Sequence, residues 1–226
     1  GASTQRAVEN FTISGETLSP ALIHAYGLIK EAAALANAKL GTLPQELAEP
    51  IASAAREVAE GKHDAHFPVD VYQTGSGTST NMNANEVIAS LCRQGGHEAH
   101  PNDHVNLGQS SNDTFPTAIH IAACAELRDT LIPALETLGH SLFAKAEQFH
   151  HVLKIGRTHL MDAVPMRLGQ EFSGYAKQAE RGVGRCHKAI KALLEIPLGG
   201  TAIGTGLNRH PVFPETAIAF LNARTG

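Results

Sequence analysis

Tryptophan is absent from this 226-residue chain, and Phe and Tyr supply all of its 5% aromatic content. Stacking platforms for nucleobases are therefore scarce, which argues against single-stranded nucleic-acid binding. Positive charge is short as well: 18 Lys and Arg stand against 22 Asp and Glu, for a formal net charge of −4. Such a balance gives no basic face to a polyphosphate or an anionic bilayer. No apolar run is long enough to span a membrane, and no signal peptide is visible. The three cysteines, Cys92, Cys124 and Cys186, are far apart and form no CxxC or Cys/His spacing. They read as incidental thiols of a reducing compartment, not as disulfides or a zinc site.

Helical periodicity dominates what is present. Ser19-Pro20 opens a helix to about Leu40, with Leu22, Ile23, Tyr26, Ile29, Ala33 and Leu35 as its buried stripe. Thr42-Leu43-Pro44 restarts a helix that fades near Gly61, and a third helix from Asn81 to about Arg93 ends at Gly95-Gly96. The longest pattern runs from about Asp113 to Phe149, with Pro116 expected in its first turn and Pro133 expected to bend or interrupt it. A second long helix is expected from about Asp162 to Leu194. Gly174, Gly182 and Gly184 lie inside it, where close helix–helix approach would offset a cost of roughly 1 kcal/mol each. Only His151–Gly156 and Ile196–Gly200 read as short extended pieces. The fold expected is all-α, with long helices suited to a bundle. The chain opens on Gly1 without an initiator Met and stops at Gly226 just after a new helical pattern begins, so both ends read as cut.

Three polar blocks interrupt these helices, and each is read as preceding one. In Thr74-Gly75-Ser76-Gly77-Thr78, with Asn81 beyond it, the glycines let backbone N–H groups approach an anion. The P-loop lysine is missing, so a turn with a helix N-cap competes with an anion cradle. His100-Pro101-Asn102-Asp103-His104 carries two imidazoles and an acid. It fits no common metal-ligand spacing, and a surface turn is the plainer reading. Following this second block, Ser110-Ser111-Asn112-Asp113 is a strong helix start whose N–H groups can hold a carboxylate. Gly156-Arg157-Thr158-His159 places an imidazole beside a hydroxyl, an arrangement able to carry a proton at neutral pH.

These blocks, together with Gly199-Gly200-Thr201-Ala202-Ile203-Gly204-Thr205-Gly206-Leu207-Asn208, resemble those of class II fumarases in the aspartase/fumarase superfamily. The resemblance runs over essentially the whole chain and implies an N-terminal helical lobe (1–110) followed by the start of a central long-helix bundle (111–226). It also implies a homotetramer whose active sites take loops from three subunits, a small dicarboxylate substrate (fumarate or L-malate), no cofactor or metal, and a cytoplasmic protein, with a mitochondrial location still open. Carried over by position, Ser76, Gly77, Thr78, Asn81, Ser110, Ser111, Asn112 and Thr158 would bind substrate. His159 would be the catalytic proton carrier, and His100, Pro101, Asn102 and Asp103 would form a second, peripheral dicarboxylate site. His159, His100 and Ser111 favour fumarase over aspartase, the alternative of the same fold. Met161 departs from the usual fumarase Gln, and Ser79-Thr80 is a less common variant. The family's mobile Gly-Ser-Ser-x-x-Met-Pro-x-Lys-x-Asn loop does not occur in these 226 residues. The chain is therefore expected to cover roughly the first half of such an enzyme. Alone it is expected to be inactive, a helical oligomerisation module at most.

Overall fold

Eight α-helices, one two-stranded hairpin and three short 3-10 or π-helical turns make up the regular structure of the computed structural model, which describes residues 1–226. The α-helices and strands are α1 (Ala2–Asn10), α2 (Pro20–Lys39), α3 (Gln45–Ala59), α4 (Thr78–Gln94), α5 (Ser111–Glu126), α6 (Ile132–Gln148), β1 (Leu153–Thr158), β2 (Met161–Arg167), α7 (Leu168–Leu193) and α8 (Phe213–Thr225). The all-α expectation holds. The chain forms two compact units, Gly1–Ala122 with Glu195–Gly226, and Ala123–Leu194, a different cut from the 1–110 and 111–226 division.

The first unit is built around α2. Pro20 sits at its N1 position, where the missing N–H is no loss. Most of its residues are buried, against α3, α4 and α8. Gly27 permits the α2–α3 contact, since a Cβ there would lie 2.3 Å from the Ala59 backbone nitrogen. Glu31 on α2 is buried and held by Arg56 of α3 at 2.7 Å and by Arg224 of α8 at 3.4 Å. Asp70 ties the N-terminal segment down by accepting from the N–H groups of Ser14, Gly15 and Tyr72. Those bonds, led by Tyr72, pull its carboxyl down to about 2 against the effect of burial.

In the second unit α6 and α7 lie side by side, joined by the hairpin. The interface is narrow: Ala146, Ala176, Ala179 and Cys186 are buried, and Phe149 meets Phe172 edge-on at 5.4 Å. Gly169 provides the closest approach, with Ala146 Oxygen only 2.3 Å from where a Cβ would be. Leu135 of α6 lies against Gly182, but Gly174 and Gly184 face open space, so close approach does not explain those two.

Several expectations need correction. The helix expected from Asp162 begins at Leu168, because Met161–Arg167 pairs antiparallel with Leu153–Thr158. Pro165 explains part of this, since it would lack an N–H inside a helix, whereas the hairpin accommodates it beside a register irregularity between Ile155 and Arg157. Ile196–Gly200 is not a strand but a loop and turn. Pro116 lies in the second turn of α5, not the first. Helix α4 starts at Thr78, three residues earlier than expected. Pro133 does interrupt the long pattern, as a π-helical stretch, Leu127–Leu131, just ahead of α6.

Candidate active site

Two helix N-termini meet in the first unit. The N-cap of α4 is Gly77, at φ 74°, a conformation that L side chains rarely adopt. A Cβ at Gly77 would also lie 2.2 Å from the Phe115 ring of α5, so glycine is needed twice over. No side chain of the N-cap residue caps this helix. Gln73 reaches forward instead, its Oε1 accepting from Thr80 N–H at 2.9 Å. The N–H groups of Thr78 and Ser79 are left with no intrahelical acceptor. Beside them the hydroxyls form a line: Thr74 to Ser76 at 3.2 Å, Ser76 to Thr78 at 2.9 Å, and Thr78 to Ser111 at 3.0 Å. The last contact bridges 33 residues and joins the Thr74–Thr78 block to Ser110-Ser111-Asn112-Asp113.

Helix α5 is capped by its own sequence. Asp113 Oδ1 accepts from Ser110 N–H at 2.9 Å, and Ser110 Oγ accepts from Asn112 N–H at 3.3 Å. The other Asp113 oxygen accepts from the N–H groups of Gly199 (3.1 Å) and Thr201 (2.8 Å). Asn112 donates to the Ala202 carbonyl at 2.7 Å. The glycine-rich loop is thereby fastened to the start of α5, and Asn112 has one amide hydrogen committed to it. An open cleft of about 540 Å³ lies between Asn102–Ser110 and Thr201–Asn208.

Asn81 sits one layer deeper. It is buried, and its Oδ1 accepts from Lys30 Nζ at 2.9 Å and from the Thr114 hydroxyl at 3.2 Å. Its amide donates to Asn106 Oδ1 at 3.1 Å. Lys30 also donates to Asn106 Oδ1 (3.0 Å) and Gln109 Oε1 (2.9 Å). Burial pushes the Lys30 ammonium down to about 7, with the charge of Asp113 opposing that fall. Lys30, Asn106 and Gln109 were not among the residues chosen from the sequence. A signal existed, because Ile23, Tyr26, Lys30, Ala33 and Asn37 share one face of α2 at three- and four-residue steps, and two of these are polar.

His100 is the N-cap of a π-helical turn, Pro101–Val105, in which Asn102 and Asp103 are exposed and Val105 is buried. His100 Nδ1 lies 3.0 Å from the Asp103 carboxylate and 3.2 Å from Asp103 N, while His104 Nδ1 accepts from His100 N–H. The turn thus bonds mainly to itself. The same chain segment continues into Asn106 and Gln109, so it connects directly to the Lys30 network.

Thr158 and His159 belong to the second unit. Thr158 pairs with Met161, and His159 and Leu160 form the two-residue turn between them, at φ 52° and 62°. Positive φ at both central positions is the type I′ pattern usually filled by Asn and Gly. A histidine and a leucine held there, with Leu160 97% exposed, carry local backbone strain. The third block therefore presents its imidazole from a strained hairpin tip and not from a helix start. No three His, Cys, Asp or Glu side chains are grouped to hold a metal ion, and no helix is long and apolar enough to cross a membrane. Burial raises the Cys92 thiol to about 11 and raises that of Cys124, which keeps both in the thiol form.

Two helix N-termini that gather hydroxyl and amide donors define an all-helical protein with a site suited to a small anion. The chain belongs to the lyase family, whose model matches residues 1–226. Among curated relatives it is 57% identical to a class II fumarate hydratase of Mycobacterium tuberculosis, over all of this chain and 48% of the relative. It is 54% identical to one from Halobacterium salinarum, over all of this chain and 49% of that protein. A crystal structure of class II fumarase from Schistosoma mansoni superposes with a TM-score of 0.93 at 43% identity, covering all of this chain and 49% of the other. The chain thus spans about half the length of the relatives it matches.

Proposed function

We propose that the full-length protein reversibly adds water across fumarate to give L-malate. The observation that carries this reading is the Thr78–Ser111 hydroxyl contact, which brings two helix N-termini together in a line of neutral donors. Removing the C3 proton of malate builds an aci-carboxylate, and neutral donors with helix N-termini stabilise such charge as it develops. Ser76, Gly77, Thr78, Ser110, Ser111 and Asn112 line the carboxylate site, with Asn81 behind them. His159, with Thr158 beside it, moves the proton linked to the departing hydroxyl. The C3 base is the serine of the mobile loop described above, so the 226 residues alone are inactive. His100, Pro101, Asn102 and Asp103 form a separate peripheral dicarboxylate site. The assembly is a homotetramer with shared active sites, in which 111–226 begins the central bundle. Its location is cytoplasmic, and the chemistry needs neither metal nor organic cofactor.

The direct test is ultraviolet detection of fumarate formed by the full-length protein, given L-malate and L-aspartate in parallel. Fumarate from malate alone is expected. Fumarate from aspartate alone, with ammonia released, would replace this reading with an ammonia-lyase of the same fold.

A further inference from the structure

Lys30 lies fully buried on α2 with no carboxylate in hydrogen-bond contact. Burying an ammonium carries a desolvation cost that a methionine in the same stripe would avoid. The three acceptors around it are all amide oxygens, one for each N–H of a charged ammonium. A neutral amine would turn its lone pair toward one of those oxygens, so the geometry favours the charged form although burial opposes it. The charge also dictates which way the amides face. With their oxygens turned to Lys30, Asn106 donates to the Gln109 carbonyl, and Gln109 donates to the carbonyls of Val105 and Leu107. These bonds fix the segment that leads straight into Ser110. Asn81 is fixed likewise in the first turn of α4.

The charged groups of the neighbouring elements are committed elsewhere: Glu86 of α4 accepts from the Thr4 N–H and hydroxyl. Asp113 of α5 is the acid that acts on Lys30, and its oxygens accept from Ser110, Gly199 and Thr201. Arg56 of α3 and Arg224 of α8 are held by Glu31. On the turn before Asn106, His100 faces Asp103, and His104 accepts from His100 N–H. Tyr26, one turn earlier on α2, is kept as the neutral phenol by burial. Lys30 is therefore the buried cation behind the two helix N-termini.

We propose that Lys30 is a positioning residue of the dicarboxylate site: its ammonium orients Asn81, Asn106 and Gln109 and lends positive potential to the anion held at the starts of α4 and α5. This rests on the reading that the site binds a dicarboxylate. Because the ammonium is poised near neutrality, an incoming dianion recruits its proton, and affinity falls as pH rises.

The test uses the full-length protein, its Lys30→Met and Lys30→Arg variants, and succinate as an unreactive dianion. Calorimetric affinity is measured between pH 7 and 9, beside malate kinetics and melting temperature. For the unaltered protein, affinity should drop by up to about tenfold per pH unit, the limit for uptake of one proton. Lys30→Met should bind succinate at least ~10-fold more weakly at pH 7 with a flat pH profile, and should raise KM more than it lowers kcat. Lys30→Arg should recover part of the affinity at every pH. A Lys30→Met variant that melts lower but keeps the original affinity and pH profile would reduce Lys30 to a structural role. Should neither variant fold, a flat succinate profile in the unaltered protein overturns the proposal and a falling one supports it. Malate turnover by the unaltered protein with no effect of Lys30→Met on succinate would sink this inference alone. Pronounced effects on succinate without malate turnover would sink the fumarase reading alone.

Discussion

At the scale of single residues, Gly77 separates packing from backbone freedom. Gly75 and Gly77 both have positive φ, but only Gly77 lies against a neighbour, the Phe115 ring. Gly75→Ala should cost roughly 1 kcal/mol through conformation alone. Gly77→Ala should add about 1–3 kcal/mol of overpacking. Urea denaturation of the two variants checks this, and equal losses would mean that the Phe115 ring yields freely. His159 is the second test. Asn tolerates its φ of 52°, so His159→Asn removes the imidazole while keeping the turn. Turnover in the full-length protein should fall by roughly 10²–10⁴-fold, with circular dichroism unchanged. Near-normal turnover would refute the role of His159. The polar residues at the starts of α4 and α5 were legible in the sequence as helix starts, because Ser, Thr and Asn favour N-caps, whereas a role toward an anion came from the family resemblance. Lys30 was not, because lysine in a helix is ordinarily solvated and periodicity cannot say which charged side chain lies inside.

Among the elements, helices α2, α3 and α7 were legible from Pro, Gly and apolar spacing, and the hairpin only in part. Met161–Arg167 lies next to a strong amphipathic helix, and its tight turn, His159-Leu160, carries none of the Asn-Gly or Gly signals by which a sequence announces a hairpin. The hairpin's strain is testable in isolation. Leu160 is almost wholly exposed, so Leu160→Gly loses little packing and relieves a positive-φ leucine. Amide exchange at Thr158 and Met161, the pair that flanks the turn, should slow by a few-fold, equivalent to roughly 1 kcal/mol. Faster exchange would show that the leucine side chain holds the turn. The Asp70 cap makes a different prediction. Its carboxyl is depressed, so its contribution is complete above about pH 4 and lost as pH falls through about 2. Asp70→Ala should lower the melting temperature at pH 7. That difference should shrink steadily toward pH 2, and a gap that persists there would assign the effect to the side chain's packing.

For the whole molecule, the second unit poses the question of assembly. Its two long helices bury a narrow shared stripe and leave Leu131, Leu138, Phe143 and Tyr175 exposed to 43% or more. Such apolar surface on neighbouring turns is costly for a lone hairpin and useful for a bundle completed by other helices. Leu138 is half exposed, so Leu138→Glu should leave the hairpin's own contacts intact. If further helices of the full-length assembly cover this face, the glutamate must desolvate against them and the assembly should dissociate. Sedimentation velocity of full-length protein should then show the proposed tetramer becoming smaller species, while circular dichroism stays constant. Because the proposed active sites draw on several subunits, turnover should disappear in step with dissociation. A Leu138→Glu protein that dissociates and retains full turnover per chain would show that one subunit holds a complete site. An unchanged tetramer would place the subunit contacts away from this face of α6.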